Sequence, residues 1–406
     1  MKLLLLALTT TFALGQGPLA PTAAPGPTQK SLQEIWAKIG SLEVQNKLLQ
    51  SQLTAVAGLQ ALSPAGLALA WNIKTVDSIN NVGFYNSLAF GPDGQPAVAY
   101  QDSSSGDLKY AYYTGQTWKT YTVDSLGDVG AYASLAFAPD GAPAICYAIP
   151  GTAIKYARYD LESENWIYST VDSAVTSAAS ISLAFGPDGQ PAVAFLDTVG
   201  GDLKFAHYNG SAWFPSLVDF VGITGHYASL AFSPEGYPAI SFCNITTSSL
   251  KFALRDDTSW NITTVEPGGP GGTVGHQTSL AFGPNGQPAI SYQNQGTEDL
   301  KFARYQAGVW TLETVDSSGR VGSYTSLAYG PDGQPAISSY DATNKTLRFA
   351  RYTGSVWSNS TVDSAGAVGV SSSLAFGPDG QPAISYYDTG NSDLKVARKF
   401  LFPAAP

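Results

Sequence analysis

Ser326-Leu327-Ala328-Tyr329-Gly330-Pro331-Asp332-Gly333-Gln334-Pro335-Ala336-Ile337-Ser338 is one of seven near-copies of the same run. Its head, Ser-Leu-Ala plus an aromatic, begins at Ser87, Ser134, Ser182, Ser229, Ser279, Ser326 and Ser373, spaced by 47, 48, 47, 50, 47 and 47 residues. A fixed period of this size means stacked copies of one supersecondary unit. Each copy parses into four short strands by its turn chemistry. In the sixth, Thr325–Tyr329 runs into the Gly330–Gly333 turn, Gln334–Tyr340 follows, and then come the loop 341–346, Leu347–Tyr352, the Thr353-Gly354 turn and Trp357–Asp363. Seven units of four strands predict an all-β chain, a seven-bladed β-propeller.

The last unit stops after its third strand, and the missing fourth lies at the other end of the array. Trp71-Asn72-Ile73-Lys74-Thr75-Val76-Asp77 matches Trp357–Asp363 in kind, so residues 71–77 are expected to close the ring and remove its open edge. Seven of the eight tryptophans, from Trp71 to Trp357, head the fourth strands, where aromatic burial favours packing over a ring of sugar-stacking faces.

Ahead of the array the pattern changes. Residues 1–15 read as a signal peptide with an apolar Leu3–Leu14 run, which implies secretion. Residues 16–30 are a Pro/Ala-rich spacer. Across 31–60, Leu32, Ile35, Ile39, Leu42, Asn46, Leu49, Leu53 and Val56 keep a three-four spacing with Asn46 the one polar seam residue, the mark of a coiled-coil helix that forms a homo-oligomer. Residues 61–70 are a linker, 71–401 the propeller and 402–406 a tail.

Charged residues are only 13% of the chain and its formal charge is −10, which excludes a basic nucleic-acid face. No later run is long and apolar enough for a membrane span. Cys146 and Cys243 fall in blades two and four and are expected as buried free thiols, because a bridge needs Cα atoms within about 7 Å. No metal-ligand spacing occurs, no cofactor is implied, and Pro-Asp-Gly lacks the spacing of a calcium loop. Five Asn-x-Ser/Thr sequons, at Asn209, Asn244, Asn261, Asn344 and Asn359, matter only in a source that glycosylates secreted proteins, since Ser and Thr are frequent enough for several to arise by chance.

The third strand carries a basic residue near its start in every blade, Lys109 to Lys395, and the fourth ends on an acid, Asp77 to Asp363. Repetition of this kind points to structural ties, because catalysis needs one special blade. No catalytic residue is assigned. The loops after the second and fourth strands vary, whereas the tight turns on the opposite face repeat, so ligand binding is expected on the loop face, at His226, His276, Asp102, Asp197, Asn294, Asp341 and Asp388.

The run from Ser373 through Asp388 to Arg398 resembles the repeats of secreted microbial propeller proteins, over about residues 71–400. Phe302-Ala303-Arg304-Tyr305 with Trp310 is similar, more distantly, to fucose-binding propeller lectins. That resemblance implies alternative sites between blades at Arg304, Arg351 and Arg398, without a recurring Glu partner. The expected function is a secreted, non-enzymatic recognition or adhesion protein for an extracellular glycan or protein ligand. A propeller hydrolase or lyase with its site in the central funnel, and a structural surface protein, are the alternatives.

Overall fold

In the computed structural model, the described residues are 67–173, 178–269 and 272–403. The signal peptide, the spacer and the coiled-coil segment lie outside them, as do residues 61–66 of the linker and 404–406 of the tail. Twenty-eight strands form seven antiparallel four-stranded sheets, and the inner strands of successive sheets touch around a complete ring. In the sixth blade the strands are Ser323–Tyr329, Pro335–Asp341, Thr346–Tyr352 and Trp357–Asp363, within two residues of the expected bounds.

The ring closes as its repeat requires. Leu67–Asp77 is the outer strand of the last blade, antiparallel to Asp393–Pro403 with Trp71 opposite Lys399. It begins four residues before Trp71, because the ladder continues outward to the Leu67–Pro403 pair.

Burial explains the composition of each strand. The second strand is sandwiched between blades, and in Pro191–Asp197 and Pro238–Asn244 every residue is buried, so small and β-branched side chains dominate it. The core is a set of seams: Leu347, Phe349 and Val362 of the sixth blade pack with Leu374, Ile384 and Tyr386 of the seventh.

The repeated Ser-Leu has a specific task. Each Ser Oγ accepts a hydrogen bond from the Leu amide of the next blade at 2.9–3.0 Å, in all seven seams. The acid that ends each fourth strand ties to the following blade. Asp124 accepts from Tyr147 Oη at 2.6 Å and pairs with Lys155 at 3.4 Å, and Asp363 accepts from Tyr386 Oη at 2.7 Å. Asp77 takes Tyr100 and Lys109 in the same way across the closing seam. The expected structural ties are therefore present, and they run between blades.

Six tryptophans pack edge-on against an aromatic ring on the third strand of the preceding blade, with centroids 5.1–5.6 Å apart. Trp118 meets the cluster containing Val396 instead. The packing reading of these residues holds. Both cysteines are free and buried.

Candidate functional site

The loop face carries the seven residues expected to bind ligand, and the structure divides them into two groups. Five are occupied as caps of their own loops. Asp102 accepts from Asn80 Nδ2 at 2.9 Å and from the Ser104 amide at 3.0 Å. Asp341 accepts from the Thr343 and Asn344 amides and is fully buried. Asp388 holds the Gly390 amide, Asn391 and Lys395, the last at 2.6 Å, and is also fully buried. Asp197 caps Val199 and pairs with Lys204 at 2.9 Å, while Asn294 accepts from the Gly296 amide at 2.9 Å. These side chains recur because an Asx residue caps the loop in six of the seven blades, the second having Ile149 there.

His226 and His276 lie in the inner strands His226–Phe232 and Val274–Phe282 of adjacent blades, and a tyrosine stands between them. The Tyr227 ring lies 4.1 Å from that of His276 and 6.0 Å from that of His226, with Tyr227 Oη 2.5 Å from His276 Nε2. Burial, and after it the nearby His226, pushes His276 down to about 4, so its imidazole is neutral at pH 7. Burial lowers His226 as well, and it raises Tyr227 to about 12.

Tyr227 belongs to a ring not legible in the repeat. In every blade the inner strand carries one extra residue two places before its Ser, a bulge in which Tyr85, Tyr132, Ser180, Tyr227, Gln277, Tyr324 and Ser371 all have φ between 49° and 56°. Side chains in this left-handed region are uncommon and tend to gather at functional positions. The Tyr85 and Tyr132 rings stand 4.3 Å apart. The result is a belt of uncharged hydroxyl, amide and imidazole groups on the inner strands.

The cavities lie elsewhere, between blades on the tight-turn side. One of about 550 Å³ joins the second and third blades, lined by Asp140, Tyr156, Arg158, Tyr168, Tyr208 and Trp213. Others of about 290 and 220 Å³ join blades four to five and five to six, the latter lined by Asn285, Gln287, Arg304, Tyr305, Tyr329 and Gln334. A fourth, again of about 550 Å³, joins the first and second blades.

Three of the arginines expected as inter-blade residues are placed on this side. Arg351 pairs with Asp332 of its own turn, and Arg398 pairs with Asp379 at 2.9 Å. His207 does the same with Asp188 at 3.0 Å. Arg304 faces an Asn in that turn and turns instead to Glu313 on its own outer strand, which also accepts from Trp357 Nε1 of the next blade at 3.1 Å. Its guanidinium lies 4.9 Å from the Tyr352 ring centroid. The Glu313 and turn Asp partners escape a search for one recurring Glu, because the acid moves between two elements. Among the described residues no group of three or more His, Cys, Asp or Glu could hold a metal ion.

No family model matches the chain, and neither does any curated protein. Solved structures do. The chain is similar to a protein of unknown function from Dyadobacter fermentans at 11% identity, with a TM-score of 0.53, over 84% of this chain and 100% of that one. It is similar to the SapL1 lectin, solved in complex with alpha methyl fucoside, at 12% identity and a TM-score of 0.52, over 70% of this chain and 98% of the lectin. It is also similar to the polysaccharide lyase Uly1 at 10% identity and a TM-score of 0.55, over 80% of this chain and 91% of the lyase. At these identities the likeness establishes the propeller fold that lectin and lyase share with this chain.

Proposed function

We propose that the protein is a secreted, non-enzymatic recognition protein that binds extracellular carbohydrate in its inter-blade clefts. The observation that carries this reading is Arg304, a cation held by Glu313, set against the Tyr352 ring and lining a cleft with Tyr305, Tyr329 and three glutamines. Charge-assisted donors beside aromatic faces suit a sugar, which presents hydroxyls at its edge and C–H bonds on its face. Basic–acid pairs at the matching position of the second, third, sixth and seventh blades repeat the arrangement. The likeness to a lectin with bound alpha methyl fucoside adds support. We place clustering of the propellers in residues 31–60, where Asn46 would set the oligomer number, so that weak sites act together. Light scattering tests that part: the full chain should be a defined oligomer and residues 61–406 a monomer.

A glycan array with the secreted chain tests the rest. Arg304→Ala and Arg351→Ala should each lower glycan binding, while His226→Ala with His276→Ala should leave it intact. Loss with the histidine pair alone would move the site to the inner-strand belt, and a blank array on the intact chain would reject carbohydrate.

A lyase is the second reading, favoured by the Tyr227–His276 contact, where a phenol and a neutral imidazole form an acid–base pair. The likeness to a polysaccharide lyase supports it. Ultraviolet absorbance of an unsaturated product, lost in Tyr227→Phe, would favour it over simple binding.

A further inference from the structure

The cleft between the first and second blades departs from those whose third strand brings in an arginine. Tyr112 stands opposite Ala97, where the second blade has Arg158 opposite Ala144 and the sixth has Arg351 opposite Ala336. In the second, sixth and seventh blades an arginine neutralises the turn acid: Arg158 pairs with Asp140, Arg351 with Asp332 and Arg398 with Asp379. The fourth blade shares the exception, with Leu254 opposite Ala239 and Glu235 in its turn, but its cleft is smaller, about 290 Å³. In the first blade the turn acid is Asp93, whose Oδ1 accepts the Gln95 amide at 3.0 Å, and no Lys, Arg or His lines the cleft.

What lines it is aromatic and acidic. Tyr112 and Tyr121 stack with centroids 5.9 Å apart and planes 9° apart, Tyr110 lies 6.2 Å from Tyr112, and Trp166 closes edge-on against Tyr110 at 5.6 Å. Asp93 and Glu164 supply two carboxylates to the same space of about 550 Å³. Burial, and after it the Asp93 charge, raises the Tyr110 phenol, so this ring stays neutral. Tyr121 remains nearly half exposed, which leaves the cleft open to solvent.

We infer that this cleft is a binding site for an alkylammonium group, held over the Tyr112, Tyr121 and Trp166 rings with Asp93 as its counter-charge. Aromatic faces attract cations through their quadrupole, and an unneutralised carboxylate at the rim adds direct attraction. A neutral sugar needs neither, so this site goes beyond the carbohydrate reading and stands independently of it.

The probe is choline chloride, followed by tryptophan fluorescence and titration calorimetry on the full chain. Its uncharged isostere, 3,3-dimethylbutan-1-ol, has the same shape without the charge. Choline should bind saturably and its isostere about tenfold more weakly or not at all. Glucosamine against glucose is the second arm and separates an amine carried on a sugar from a quaternary ammonium. Tyr112→Arg, which copies the neighbouring blades and supplies Asp93 with a guanidinium, should abolish choline binding with the melting temperature unchanged. If that variant misfolds, Asp93→Asn decides: it should weaken choline severalfold. Equal binding of choline and its isostere, or retention of choline by the folded Tyr112→Arg protein, would overturn the site. Choline binding alongside a blank glycan array leaves this site standing and removes the carbohydrate reading; glycan binding with no choline binding does the reverse.

Discussion

Ser373 Oγ accepts a hydrogen bond from the Leu88 amide at 3.0 Å, which joins the last inner strand of the ring to the first. Six identical bonds serve the other seams, so closure uses the same contact as internal stacking. Ser373→Ala leaves an inner-strand amide without its partner and should destabilise by about 1 to 3 kcal/mol in urea melts. Deleting residues 67–77 also exposes the Asp393–Pro403 edge and strips Tyr100 and Lys109 of Asp77. That variant should aggregate, and a native-like melt from it would refute the seam as described.

Gly322 and Gly354 form a matched pair of tests. Both have positive φ, 87° and 94°. A Cβ on Gly322 would stand 2.8 Å from Leu300 Cα of the preceding blade, whereas one on Gly354 meets nothing within 4 Å. Gly354→Ala should cost about 1 kcal/mol from backbone strain alone. Gly322→Ala should cost clearly more, because the blades must separate. Equal losses by thermal melting would mean that the close approach does not matter.

Stability should fall in two windows as the solution is acidified. His276 is held down to about 4 in the folded chain, below the ordinary value of 6.5. The unfolded chain therefore binds the proton first, and the contribution of neutral His276, complete above pH 6.5, is lost between 6.5 and about 4. The second window belongs to carboxylates. Burial pushes Asp77 and Asp124 up, but bonds from Lys109 and Tyr100, and from Tyr147 and Lys155, outweigh it and hold both below the ordinary 3.8. Their contribution is present above that value and disappears as pH falls through the lowered ones. His276→Gln should flatten the first window and Asp77→Asn the second, in denaturant midpoints taken against pH.

Neither thiol should react in the native state. Burial raises the Cys243 thiol to about 12 and raises Cys146 as well, so both stay protonated at pH 8. A chromogenic disulfide reagent should titrate no thiol until denaturant is added, then two. Rapid native labelling would show that a seam opens.

The repeat made blade number, strand order and the closing strand readable, because hydrophobic alternation and a Pro-x-Gly turn, with Asp, Glu or Asn between, survive in all seven copies. It also made the acid–base ties readable as structural. The division of labour among the loop-face residues was not: an Asp that binds ligand and an Asp that caps a loop have the same letter and the same neighbours, and only the hydrogen bonds to Ser104, Thr343 or Gly390 separate them. The inner-strand bulge leaves no residue signature either, since Tyr, Ser and Gln share its left-handed backbone. The turn-Asp partners of the arginines needed the strand register, which sets Arg351 beside Asp332 from 19 residues away.

One seam contact gives the ring an internal order. The residue before each Ser of the inner strand meets the second strand of the preceding blade. Thr278 bonds Ser241, Thr325 bonds Ser291, Ser372 bonds Ser338, and Asn86 bonds Ser385. At the other three seams the same places are taken by Ala99 with Ala133, Cys146 with Ile181, and Ala194 with Ala228, each pair sharing one apolar cluster. Polar meets polar and apolar meets apolar throughout. Blades one and four are the adaptors between the two kinds, so a duplicated or transplanted blade is compatible with only part of the circle. Seven copies that look interchangeable in sequence are, by their edges, four kinds of tile, because the two adaptors face opposite ways around the ring.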